Sequence, residues 1–205
     1  MLLSLLVPVS SQLHMMDLEL PSPVGSSGCK PLKLASNVDH GRMLGTWFKT
    51  NMSRFIYETA QHKLSCIGLN MTSLPPRTGS AASQDGSTIF ITERSHKNGA
   101  PHIEHAYLLP THQPSVMELH QNDSWVPTVP YEIIDVVSND GGEYIAAIIG
   151  TCALAMRPGV WVMSRSRQLP PEVPFIAIQQ RIENAGMDFG SLHMLPVPQP
   201  STCGP

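Results

Sequence analysis

Tyr131-Glu132-Ile133-Ile134-Asp135-Val136-Val137, then Ser138-Asn139-Asp140-Gly141-Gly142, then Tyr144-Ile145-Ala146-Ala147-Ile148-Ile149-Gly150-Thr151-Cys152, reads as two β-rich runs around a dense turn signal. β-branched and aromatic residues suit a pleated, half-buried surface, and an Asn-Asp-Gly-Gly cluster turns one strand back on the other. The pattern repeats outward. Val160 to Ser166 follows downstream. Upstream lie Val116 to His120, His102 to Leu109, Ser87 to Thr92, Leu64 to Ser73 and Gly45 to Thr50, punctuated by Pro110 and by Pro75-Pro76. Eight short strands at regular spacing predict an all-β barrel or sandwich, not alternating strands and helices.

One segment breaks the rhythm. Pro170-Pro171-Glu172 opens it, and proline is tolerated in a first helical turn. Phe175, Ile178, Ile182 and Ala185 then share one helical face, and Gly186 sits where a helix would stop. A helix over 170–186 is expected to pack outside the strands.

Composition agrees with this class. The 205 residues suit one domain, and 19 prolines and 15 glycines make a poor recipe for a helical bundle. Net charge is −3, without the basic excess of a nucleic-acid binder. No stretch reaches the ~18 apolar residues of a membrane-spanning helix. Met1 to Val9 resemble the apolar core of a secretory signal without its basic start. Residues 1–28 are therefore expected to be a signal and leader, with the domain over 29–203.

Val38-Asp39-His40-Gly41-Arg42-Met43-Leu44-Gly45-Thr46-Trp47 resembles the first-strand Gly-x-Trp signature of the lipocalins. Trp161 to Glu172 is similar to their last-strand-to-helix segment, and Cys66 to Thr72 is similar to the second strand of apolipoprotein D-like members. The turn at Asp135 to Asp140 departs from the family pattern. The resemblance implies an eight-stranded antiparallel up-and-down barrel with one C-terminal helix. It also implies that Arg165 packs over Trp47 as a structural pair. A cation over an indole face contributes up to roughly 2 kcal/mol when desolvated.

Four cysteines allow three pairings. The resemblance implies Cys29–Cys152 and Cys66–Cys203, each stapling an outer segment to the barrel. Strand neighbours alternate faces, so an outward Cys66 places Ile67, Leu69 and Met71 inward. Asn70-Met71-Thr72 is a glycosylation sequon, and Asn70 then points outward as a glycan requires. Asn51, expected where the first strand ends, and Asn122 head further sequons. The same alternation places Ile145, Ala147 and Ile149 inward, with Met117, Leu119, Trp161 and Met163. The family's aromatic in the sixth strand adds Tyr131 and Ile133. This lining would bind a small hydrophobic ligand such as a fatty acid, sterol, retinoid or tetrapyrrole. Loops after Thr50, Pro110 and Asn122 are expected at the entrance.

The resemblance implies a secreted, extracellular carrier that needs no cofactor, no metal and no chemistry. Nine histidines invite a metal, but no two stand in a known ligand pattern. Phosphate-loop, nucleophile-elbow and zinc-protease motifs are absent. One alternative is an isomerase-type enzyme on the same scaffold, which requires an unpaired, inward Cys66. Another is a secreted protein acting on a surface partner, for which the loop from Met52 to Lys63 is available.

Overall fold

The computed structural model describes residues 30–59, 64–74, 87–121, 128–151 and 158–203. Eight antiparallel strands close into a barrel. They are β1 (Gly45–Ser53), β2 (Leu64–Leu74), β3 (Thr88–Lys97), β4 (Ala100–Pro110), β5 (Val116–Gln121), β6 (Val129–Ser138), β7 (Tyr144–Thr151) and β8 (Gly159–Ser164). Each pairs with its sequence neighbour, and β1 closes the ring against both β8 and β2. A short β9 (Met194–Pro196) adds to the outside of β1. Four short helices accompany them: α1 (His40–Met43), α2 (Arg54–Thr59), α3 (Phe175–Asn184) and α4 (Phe189–Leu192).

The strands follow the alternation in the sequence, so the apolar residues form two layers. Trp47, Ile67, Met71, Ile133, Ile149 and Met163 belong to the inner cluster. Ile134, Ile148, Val160 and Val162 face outward and pack with Ile178 and Ile182 of α3. The 138–144 turn is the hairpin the sequence announces. Asn139 N–H donates to the Glu143 carbonyl, and Gly142 takes the left-handed conformation at φ +82°.

The helix is shorter than 170–186. Pro170 to Val173 form a turn in which Val173 N–H donates to the Pro170 carbonyl, and Pro174 caps α3. Val173 is buried in the outer cluster, which leaves Phe175 39% exposed, touching Phe189 edge-on. Phe175 thus does not join the buried face. The stop is as expected, because Gly186 sits at φ +96° and its N–H bonds back to Glu183.

Four bulges modify the alternation, one of them at Ile134 of β6, where Ile133 faces Ile149 and Asp135 faces Ile148. In β7, Val137 faces Ala146 and Ser138 faces Tyr144, so Ile145 is an extra residue. The bulge reverses the faces: Tyr144 joins the inner cluster, and Ile145 packs on the outer one, contrary to its expected inward direction. In β2, the register shifts around Cys66, which has φ +55°, so Leu64 also reaches the inner cluster. In β1, a shift between Lys49 and Asn51 brings Met52 inward. β1 runs to Ser53, so Asn51 lies within a paired strand instead of at its end.

Candidate functional site

One end of the barrel is sealed by a single guanidinium. Arg165 lies 3.8 Å over the Trp47 ring. Its Nε donates to the Tyr144 carbonyl at 3.0 Å, its Nη1 to Leu44 at 2.9 Å and Thr46 at 3.0 Å, and its Nη2 to Arg42 at 2.6 Å. Five donors in a fixed fork suit this task, because the four carbonyls converge from the starts of β1 and β7 and from α1 and its C-cap. Burial pulls the Arg165 pKa below its usual value, with Glu143 opposing. Trp47 Nε1 donates to the Met43 carbonyl at 2.7 Å, which locks the indole under α1.

Up-and-down connection then assigns every loop to an end. The 111–115 turn after Pro110 joins β4 to β5 at the sealed end, beside α1. His40 Nε2 lies 2.7 Å from the Pro114 carbonyl there. The expectation that this loop borders the entrance is corrected, because four strands, an even number, separate it from the sealed start of β1. The open end carries α2 after β1 and the tight turn at Asn98-Gly99. Asn122 and its loop lie outside the described residues.

The structure brings most of the expected lining together. Ile67, Leu69, Met71, Met117, Tyr131, Ile133, Ala147, Ile149, Trp161 and Met163 share the inner cluster, and Leu119 packs against it. Tyr131 meets Trp161 edge-on at 5.5 Å between ring centres. Its hydroxyl donates to Met163 Sδ at 3.7 Å. Burial pushes the Tyr131 phenol far above its usual pKa, and the charge of Glu93 adds to the rise, so it stays protonated.

The sequence reading missed a charged wall. On β3, Glu93 and Ser95 follow Ile89 and Ile91 on the inner face. On β4, His102 and Glu104 sit opposite Ser95 and Glu93. Lys49 Nζ bonds Glu93 Oε2 at 2.7 Å and lies 5.6 Å from the Trp161 ring centre. Further out, Lys97 and His102 both hold Glu104 Oε1, His102 at 2.7 Å. Burial raises the Glu104 pKa, but these two partners outweigh it and hold the carboxyl below its usual range. The other end being sealed by Arg165, these side chains meet solvent through the open end: Lys49 is 14% exposed, Glu93 22%, Lys97 26% and Glu104 44%. Solvent therefore enters from that end and reaches the Lys49–Glu93 pair. Two lysines and two glutamates leave this wall neutral apart from His102. The lumen has one apolar side, near β6 to β8, and one ion-paired side, near β3 and β4.

Outside the barrel, Cys66 is bonded to Cys203 with 5.3 Å between Cα atoms. Cys29 and Cys152 lie outside the described residues. Asn70 and Thr72 are exposed, whereas Asn51 is half-buried and Ser53 accepts the Val160 N–H. Among the described residues no group of three or more His, Cys, Asp or Glu could hold a metal, and no helix is long and apolar enough to cross a membrane.

No protein-family model and no curated protein matches the sequence. Solved structures do match. Insecticyanin from the tobacco hornworm Manduca sexta superimposes with a TM-score of 0.60 at 13% identity, over 85% of this chain and 88% of its own. The fold is that of the lipocalins. The siderocalin Ex-FABP, another lipocalin, aligns with a TM-score of 0.49 at 12% identity, over 78% of this chain and 93% of its own. In this lipocalin-like barrel, Arg165 lies over Trp47, the contact expected from the sequence resemblance.

Proposed function

We propose that the protein is a secreted, extracellular carrier that binds a small hydrophobic ligand in its barrel, as an apolipoprotein D-like lipocalin. The observation that carries the reading is the lumen: sealed by Arg165 and Trp47, reached by solvent from the other end, and lined on one side by Met, Ile and aromatic side chains. Apolar burial supplies the driving force, about 25 cal/mol for each Å² removed from water. Met71, Met117 and Met163 can repack around ligands of different outline. The Cys66–Cys203 bond supports an oxidising compartment. The exposed Asn70 and Thr72 support a glycan at that sequon.

The isomerase reading loses its nucleophile, because Cys66 is bonded to Cys203 of the tail. The test is to purify the secreted protein, extract it with organic solvent and identify any bound lipid by mass spectrometry. In parallel, a ligand panel is titrated against tryptophan fluorescence. A co-purifying lipid or saturable quenching is expected. An empty barrel that no member of the panel quenches overturns the proposal.

A further inference from the structure

The lumen holds two buried hydrogen-bond donors without a good acceptor. Trp161 is 7% exposed, and its Nε1–H is buried with no hydrogen-bond partner among the described residues. It lies beside the Tyr131 hydroxyl, close enough to favour the ionised phenol but off hydrogen-bond geometry. Tyr131 donates only to a thioether sulfur at 3.7 Å, a weak acceptor. A buried donor left unmade is unfavourable, so two such donors side by side call for an oxygen. The charge of that oxygen follows from its surroundings. The nearest cation, Lys49, is already paired with Glu93, and Glu93 is close enough for its charge to act on Tyr131. A second carboxylate here would meet Glu93 and gain no free cation.

We propose that this end of the lumen is a donor subsite that selects uncharged apolar ligands bearing a carbonyl oxygen, seated between the Trp161 N–H and the Tyr131 O–H. The inference rests on the carrier reading and narrows it to ketones, esters and amides over free carboxylates. The apolar wall takes the hydrocarbon part of the ligand. The Lys97–Glu104–His102 cluster stays hydrated near the entrance.

Three probes of matched chain length test it on the full-length oxidised protein: methyl decyl ketone, dodecanoate and dodecane. Calorimetry gives the affinities, and the infrared carbonyl stretch of the bound ketone reports its hydrogen bonds. The ketone is expected to bind at least tenfold tighter than dodecanoate at neutral pH. Tyr131→Phe and Trp161→Phe, each checked for native circular dichroism, are expected to weaken the ketone about tenfold more than they weaken dodecane measured on the same variant. The carbonyl stretch should lie at lower frequency in the native protein and move back in both variants. Dodecanoate binding as tightly as the ketone, or a ketone indifferent to both substitutions, overturns the subsite. If dodecane binds but the ketone gains nothing from the donors, the carrier reading stands and the subsite alone fails. If none of the three binds, both fail.

Discussion

Arg165→Met removes the plug at the sealed end while keeping side-chain length. Four carbonyls lose their donor. Those of Tyr144 and Leu44 are half-buried, whereas those of Thr46 and Arg42 are open to water, which can replace the guanidinium. Counting only the two half-buried bonds, at about 1.5 kcal/mol each for a charged donor, gives about 3 kcal/mol. The contact over Trp47 adds about 1 kcal/mol. The native state no longer has to desolvate a guanidinium, which returns about 1 kcal/mol. The net loss is about 3 kcal/mol, or a fall in Tm of about 6–12 °C for a chain of this size. Thermal unfolding by circular dichroism at neutral pH measures it. Arg165→Lys retains the charge but not the fork, and should lose about half as much. Trp47→Phe combined with Arg165→Met should reveal a coupling of about 1 kcal/mol. A Tm within about 3 °C of the parent for Arg165→Met, or full rescue by lysine, would refute the assignment of the fork as the seal.

Other outcomes follow from features elsewhere in the barrel. Glu132 is half-buried on the outer face of β6, its Oε2 has no partner among the described residues, and burial raises its pKa. A carboxyl raised in the folded state loses stability as pH climbs from its unfolded value, about 4.5, through its folded value. Glu132→Gln should therefore raise Tm at neutral pH, with the gain shrinking to nothing in acid; a gain that persists below pH 4 would contradict this. Lys49→Met strands Glu93 in the lumen and should destabilise by about 2 kcal/mol in urea titrations, less than a fully buried broken pair because solvent reaches it. Adding Glu93→Gln should recover most of that loss, and strict additivity of the two substitutions would rule out the pairing. The Cys66–Cys203 bond spans 137 residues. Replacing both cysteines with serine should lower stability by up to roughly 5 kcal/mol in the chain-entropy description, and should expose the 197–203 segment to limited proteolysis first.

Strand order was legible because turn residues separate the runs and period-two alternation survives in most of them. Ile67, Leu69 and Met71 could be oriented because Cys66 and the Asn70 sequon fix the opposite face. Bulges leave no comparable mark. Ile145 is as apolar as the residues around it, so nothing in its type says that the faces reverse there. The helix start was misplaced because Pro170-Pro171 and Pro174 both suit a first turn, and only packing shows that Val173 fills the core position. The charged wall escaped because the third strand was read as ending at Thr92, short of Glu93, and no inward face was assigned to it or to the fourth. Counting by two from Ile89 and Ile91 would have brought Glu93, Ser95 and Lys97 inward. The pairing of Glu93 with Lys49 across the barrel depends on closure, which no local pattern encodes. The same holds for the two donors at Trp161 and Tyr131, whose shortage of acceptors is a property of the packed lumen.

The backbone ladder between β1 and β2 runs only from Gly45 opposite Met71 to Phe48 opposite Gly68. Beyond it the strands part, and the tail fills the gap. Val197 N–H donates to Thr50, Cys66 N–H donates to Pro198, and the Gln199 side-chain amide bonds both the Lys49 and Ile67 carbonyls. The first seam of the barrel is thus completed by residues made well over a hundred positions later. A chain cut before residue 194 would keep the four-pair β1–β2 ladder but leave the Lys49, Thr50 and Ile67 carbonyls and the Cys66 N–H beside the gap without these partners.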